Sequence, residues 1–208
     1  MQELINRVNS AIAKAVTGQT KLTKTELTAE GMSSEKVRIL LNELVKSDTK
    51  YLEIGVWKGS TFISAMRGNT PKSAVAIDNF SQFNGNMEIF NAACAASNVK
   101  DFTILDEDCF NLLPESKQSI KDVDVYFYDG DHRAEDQRQA ITYYMENLAN
   151  KFILIVDDYN WQSVVVGTKK GLEENNITVH ADWSLPAYVE GDPQNWWNGL
   201  YVAVCEKA

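Results

Sequence analysis

Five short segments of the sequence each place a carboxylate where an apolar run stops. They are Glu53 in Glu53-Ile54-Gly55-Val56-Trp57-Lys58-Gly59-Ser60, Asp78 in Asp78-Asn79-Phe80, and Asp108 in Asp106-Glu107-Asp108-Cys109. Asp129 and Asp131 follow in Asp129-Gly130-Asp131-His132, and the last is the pair Asp157-Asp158. Two carboxylates about 4 Å apart repel by roughly 4 kcal/mol at an effective dielectric of 20, so such a gathering calls for a cation or a proton. A single strand-end aspartate commonly caps a helix or closes an Asx turn. Five together exceed that role. The glycine spacing adds a constraint. A dinucleotide fold uses G-x-G-x-x-G so that the backbone can approach a pyrophosphate. Here Trp57 stands where the middle glycine would be, leaving Gly55-x-x-x-Gly59. That loop suits a nucleoside with a charged amino-acid tail better than a phosphate, with Glu53 facing an ammonium. Asp78, 19 residues past Gly59, is placed to accept hydrogen bonds from ribose hydroxyls.

These residues need a scaffold that brings strand ends together, and the hydrophobic pattern supplies one. Apolar runs at Tyr51–Ile54, Ala74–Ile77, Phe102–Leu105, Val123–Tyr128 and Phe152–Val156 alternate with helical stretches at Ser60–Arg67, Met87–Ser97, Leu113–Lys121, Glu135–Leu148 and Gln162–Asn175. Strand–helix alternation implies a parallel sheet with right-handed crossovers, whose ligands bind beyond the carboxyl ends of the strands. Ile177–Trp183 and Leu200–Cys205 have no helix between them and predict an antiparallel pair at the sheet edge. The expected fold class is α/β, a Rossmann-like three-layer sandwich with a mostly parallel seven-stranded sheet and a C-terminal antiparallel hairpin. Upstream, Leu4, Ile5, Val8, Ile12 and Val16 mark an amphipathic helix, 17–31 reads as a linker, and Ser33-Ser34-Glu35 opens a second helix. Residues 1–32 are expected to form an arm or lid on a domain spanning 33–208. The apolar face of the first helix needs cover, which predicts a homodimer or larger.

Composition narrows the partners. The 208 residues carry 20 Lys and Arg against 29 Asp and Glu, a net charge of −9, with residues 1–50 at +2 and residues 51–208 at −11. A chain that neutralises phosphates shows a basic stripe, so nucleic-acid binding is disfavoured. No apolar run approaches the ~18 residues that cross a bilayer, and the opening residues are too polar for a secretory signal. Three cysteines form no CxxC pair, which fits a reduced, cytoplasmic setting.

The Glu53–Ser60, Ala76–Phe80, Asp129–His132 and Asp157-Asp158 segments resemble the class I S-adenosylmethionine-dependent methyltransferases. More narrowly, they resemble the metal-dependent O-methyltransferases of the macrocin and aminocoumarin-sugar type, often grouped with cephalosporin-hydroxylase-like proteins. The resemblance covers roughly residues 35–206. It implies that Glu53, Gly55, Trp57, Gly59 and Ser60 cradle the methionine part of S-adenosylmethionine, that Asp78 holds the ribose, and that Asp108 and Cys109 border the adenine. It implies Asp129, Asp157 and Asp158 as ligands of Mg²⁺, and Asp131 or His132 as general base. The chemistry agrees: a hard cation on oxygen ligands suits Mg²⁺, binds a vicinal diol and lowers its pKa, whereas no zinc-like His/Cys spacing exists. The expected function is methyl transfer to a hydroxyl of a small molecule, such as a sugar or glycosylated metabolite. A nicotinamide-dependent oxidoreductase, which Trp57 argues against, and a non-catalytic cofactor-binding module are the alternatives. The loop 185–198, with Trp196, Trp197 and Tyr188, is read as an acceptor wall, a plug on the sheet edge or a dimer contact.

Overall fold

The computed structural model describes residues 1–208. Seven strands form one sheet: β1 (Lys50–Ile54), β2 (Ser73–Ile77), β3 (Thr103–Leu105), β4 (Val123–Tyr128), β5 (Leu148–Val156), β6 (Thr178–Leu185) and β7 (Leu200–Glu206). Their order is β3-β2-β1-β4-β5-β7-β6. The first five pair in parallel, and β7 runs antiparallel to both β5 and β6. The helices are α1 (Gln2–Thr17), α2 (Lys24–Leu27), α3 (Glu35–Leu44), α4 (Ser60–Met66), α5 (Met87–Ala96), α6 (Pro114–Ser119), α7 (Ala134–Tyr144) and α8 (Gln162–Glu174).

Alternation along the buried strands builds two cores. Tyr51, Ala76, Val125, Phe127, Ile153 and Val202 face α1, α3, α4 and α5. Leu52, Ile54, Tyr126, Leu154, Val156 and Ala203 face α7 and α8. Fully buried side chains such as Phe62, Phe127 and Phe152 each contribute about 1.5–3 kcal/mol through apolar burial. The result is the three-layer sandwich that the sequence predicts, with the C-terminal pair at the edge.

Three local features differ from the sequence reading. The helix expected over Glu135–Leu148 stops at Tyr144, and β5 is nine residues long. Asn147 makes the switch: its side chain donates to the carbonyls of Lys117 and Ile120, both at 2.9 Å, while its own carbonyl accepts from Val123 at 2.9 Å. The 17–31 linker contains α2, whose first turn is closed by a reciprocal Thr23–Glu26 capping box. Arg38 is buried and pins that segment through the carbonyls of Glu26 and Leu27 at 2.9 and 2.8 Å.

The third difference concerns the expected 1–32 arm, which is packed onto the body. Val8, Ala11 and Ala15 are buried in the same core as α3 and α4, with Leu4, Ile5 and Ile12 packed beside them. Arg7 reaches the carbonyl of Leu44 and the Thr49 hydroxyl, and Lys14 pairs with Glu43 at 2.8 Å. The face of α1 is therefore covered by α3 of the same chain. Its burial no longer calls for a partner subunit.

Candidate functional site

Register levels the strand ends. Ile54 pairs with Ile77 and with Tyr128, Ile77 with Leu105, and Tyr128 with Val156. The residues just beyond, Asp78, Gly55, Asp129 and Asp157, therefore stand side by side along the carboxyl edge. Each still donates its N–H across the sheet, at 3.1, 2.9, 2.9 and 3.1 Å respectively. Adjacent strands are about 4.8 Å apart, so these groups lie within mutual electrostatic reach.

Gly55 holds the junction together. It adopts φ 86°, and a Cβ there would lie 1.9 Å from the carbonyl oxygen of Asp129. Only glycine lets β1 turn so close to β4. Trp57 occupies the left-handed region at φ 42°, the conformation that a glycine would take freely and a bulky residue seldom adopts. Two hydrogen bonds hold it there: its backbone N–H to Asp78 Oδ2 at 2.7 Å and its indole N–H to the Phe83 carbonyl at 3.1 Å. Gly59, at φ 86°, starts α4, where Ser60 is buried. Asp78 also accepts from the Phe80 N–H at 2.7 Å, so one carboxylate ties the glycine loop to the β2 turn.

Glu53 lies beneath this loop instead of lining it. It is fully buried, and its oxygens accept from the hydroxyls of Thr61 and Tyr51. Strand-end position alone predicts that it faces an ammonium; the structure makes it a pin between β1 and α4. Burial pushes its carboxyl up to about 7, with the two hydroxyl hydrogen bonds opposing the rise. Because the folded value exceeds the ordinary 4.5, the protonated folded form is favoured. This contribution to stability is full below pH 4.5 and is lost as pH rises through about 7. Its ceiling is about 3 kcal/mol. Unfolding of Glu53→Gln should therefore lose a distinct pH dependence between pH 4.5 and 7 relative to the parent, with the variant gaining relative stability at pH 8. Parallel stability curves for the two proteins would remove this role.

At the far end of the row the structure gathers Asp129, His132 and Asp158, whose ligand atoms lie within 4.8 Å of one another. His132 Nε2 is 2.6 Å from Asp158 Oδ2, and its ring meets Trp161 edge-on at 4.5 Å. Asp158 sits at φ 56°, a conformation that aspartate tolerates, and its Oδ1 accepts from Asn198 Nδ2 at 2.7 Å. Asp157, expected as a third ligand, is not in this group. It lies beside it with Oδ1 buried and unpaired. Burial first, and then the neighbouring carboxylates, hold Asp129 and Asp157 well above the usual carboxylate range. That is the signature of a site short of positive charge. A divalent cation fits it on three observations: two carboxylates, an imidazole within reach, and an orphaned buried oxygen.

Asp131 stands apart from the group. Its Oδ1 accepts from both the backbone and the guanidinium of Arg133, at 3.0 and 3.1 Å. Burial acts to raise its carboxyl, but those hydrogen bonds and the Arg133 charge outweigh it and hold the value low. An ionised, exposed carboxylate tied to arginine is a weak base. Asp108 is exposed and closes a turn through the Phe110 N–H at 2.8 Å. Cys109 is half-buried beside it, and its carbonyl accepts from the Tyr144 hydroxyl at 2.6 Å. Both therefore lie at the β3 end of the row, next to the Asp78 turn in the sheet order.

The sequence reading missed Asn198 and Trp161. Forty residues separate Asn198 from Asp158, and no spacing rule joins them. In the 185–198 loop, Trp196 is buried in the core as a plug, whereas Tyr188 is exposed.

A family model described as a methyltransferase domain matches residues 52–159, from β1 through the Asp157-Asp158 turn. No curated protein matches the sequence. Among solved structures, an O-methyltransferase from Bacillus cereus in complex with SAH superposes with a TM-score of 0.59 at 15% identity, covering 97% of this chain and 91% of that one. TYW2 of M. jannaschii in complex with AdoMet gives 0.62 at 11% identity, covering 92% and 80%. The ribosomal protein L11 methylase of Lactobacillus delbrueckii subsp. bulgaricus gives 0.58 at 16%, covering 84% and 79%. The chain spans half the length (50%) of SMU.776, solved with SAH, at a TM-score of 0.61 and 14% identity, with 85% of this chain covered. At these identities the likeness is one of fold. No helix is long and apolar enough to cross a membrane.

Proposed function

This chain belongs to the methyltransferase-domain family and has the fold of the S-adenosylmethionine-dependent methyltransferases, and on that premise we propose that it is a metal-dependent O-methyltransferase acting on a hydroxyl of a small molecule, with sugars and glycosylated metabolites as candidate acceptors. The observation that carries this reading is the meeting of Asp129, His132 and Asp158 in one group, on the same sheet edge as the Asp78–Trp57 junction. The glycine loop and Asp78 would hold the methionine and ribose parts of the cofactor. The acidic edge favours a sulfonium over a phosphate, which also separates this reading from a nicotinamide enzyme.

Asp129 and Asp158, with Asp157 close behind, would hold Mg²⁺ or Mn²⁺ through oxygen ligands, leaving the imidazole of the group beside the cation and free of it. When bound, such a cation supplies a Lewis acid that orients the acceptor oxygen and lowers its pKa. In the transfer, the acceptor oxygen bonds the methyl carbon, the carbon–sulfur bond breaks, and SAH leaves. The hydroxyl proton goes to a base worth about 10²–10⁴-fold in rate. His132 is placed for that, with Asp158 to stabilise its charged form. Asp131, bound to Arg133, is not.

Calorimetric titration with SAH, with and without Mg²⁺, tests the reading together with an assay of methyl transfer in EDTA. Micromolar SAH binding, with transfer that EDTA stops and Mg²⁺ restores, is expected. Absence of SAH binding in both conditions would overturn the reading. Binding without transfer to any hydroxyl acceptor would instead favour a non-catalytic module.

A further inference from the structure

The chain buries most of its large apolar side chains, yet Trp161, Tyr188 and Val189 are 37, 78 and 64% exposed. All three line one cavity of about 450 Å³, with Asn198 and Glu190 also on its wall. That volume suits a ligand of one or two rings. The cavity opens directly beside the Asp129–His132–Asp158 group. Trp161 shares an edge-on contact with the His132 ring, and Asn198 hydrogen-bonds Asp158. The same Asn198 accepts from the Gly191 N–H at 2.7 Å, and the Asn160 side chain donates to the Ala187 carbonyl at 2.7 Å. The wall is thus stitched to the strand end that carries Asp158.

The charge of the lining is one-sided. No lysine or arginine contributes to it, and Glu190 is its one charged side chain. An aromatic face attracts ring C–H groups and cations, and a carboxylate at the rim adds to the attraction for a cation. Resting on the O-methyltransferase reading, we propose that this cavity is the acceptor subsite and that it selects a hydroxylated ring carrying a protonated amine. The ring lies against Trp161 and Tyr188, the ammonium faces Glu190, and a hydroxyl points towards His132. Acidic acceptors are disfavoured, because Glu190 and the acidic edge repel them from both ends of the cavity.

Dopamine, catechol and 3,4-dihydroxybenzoate share one ring and one diol but differ in charge, and they serve as probes. Each is titrated by calorimetry into the full chain saturated with SAH and Mg²⁺. Dopamine should bind roughly 2- to 5-fold more tightly than catechol, the reach of an exposed ion pair with Glu190, with the benzoate weakest. Glu190→Gln should erase the dopamine preference and leave catechol unchanged, which separates a local effect from the general negative charge of the protein. Tyr188→Ala, at an exposed position, should weaken all three probes. The proposal is overturned if the preference survives Glu190→Gln, or if no probe binds while SAH does; in either case the methyltransferase reading stands. Failure of SAH itself to bind would instead sink that reading, and this one with it.

Discussion

Replacing Asp78 with alanine is expected to weaken SAH binding by about 100-fold or more. Two hydrogen bonds from ribose hydroxyls to a carboxylate, at roughly 1.5 kcal/mol each, sum to about 3 kcal/mol, and every 1.4 kcal/mol is tenfold. The side chain also does a second job. It accepts from the N–H groups of Trp57 and Phe80, so its loss leaves a tryptophan in a left-handed conformation with only its indole bond to the Phe83 carbonyl to hold it. Asp78→Asn separates the two roles: it keeps an acceptor for Phe80 and a near-isosteric turn but drops the charge, and a loss of about tenfold is expected. Calorimetry on both variants, with circular dichroism to show that they fold, decides the matter. Unchanged affinity in Asp78→Ala would move the ribose away from the end of β2.

Asp158→Asn should have the larger effect on the metal site, weakening Mn²⁺ binding by more than 100-fold and reducing methyl transfer in proportion. Asp158 offers one oxygen to the His132 side and has the other fixed by Asn198. Loss of a group that merely orients a ligand costs about 10–100-fold in metal affinity, so a ligand itself should cost more. Asn198→Ala provides the internal scale and is expected to fall within that 10–100-fold range. Electron paramagnetic resonance of bound Mn²⁺ reads both without needing an acceptor. If Asp157→Asn lost Mn²⁺ as completely as Asp158→Asn, Asp157 would join the ligands, as the sequence-derived set of Asp129, Asp157 and Asp158 has it; retention of Mn²⁺ by Asp158→Asn would remove Asp158 from the site.

The contrast between Asp157 and Asp158 shows what sequence can and cannot reveal here. The alternation of apolar runs made β1 to β5 legible, because strands buried on both faces leave unbroken stretches of Val, Ile, Tyr and Phe. Strand ends were therefore legible too, and with them the row of acids. Which oxygen of adjacent acids turns towards which neighbour depends on a single φ angle, such as the 56° at Asp158, and no pattern of residue types encodes it. Glu53 was misplaced for a related reason. Position in a motif says that a carboxylate is at the strand end, but the inward phase of β1 sends it down to Thr61 and Tyr51. The docking of α1 on α3 was half legible. An apolar stripe announces that a helix will be covered, and only the tertiary structure says by what.

The insertion of β7 between β5 and β6 has a consequence for the order of events as the chain is synthesised. Residues 178–185 emerge before residues 200–206, yet β6 has no place in the sheet until β7 has paired with β5. Until then β5 presents an open edge, the kind of surface on which chains associate wrongly. Asn198 and Trp196 arrive with the same late segment, so the tie to Asp158 and the plug in the core form together. The nascent protein can thus assemble its glycine loop first and complete the acidic end last, which makes closure of the sheet the step that finishes both the fold and the site.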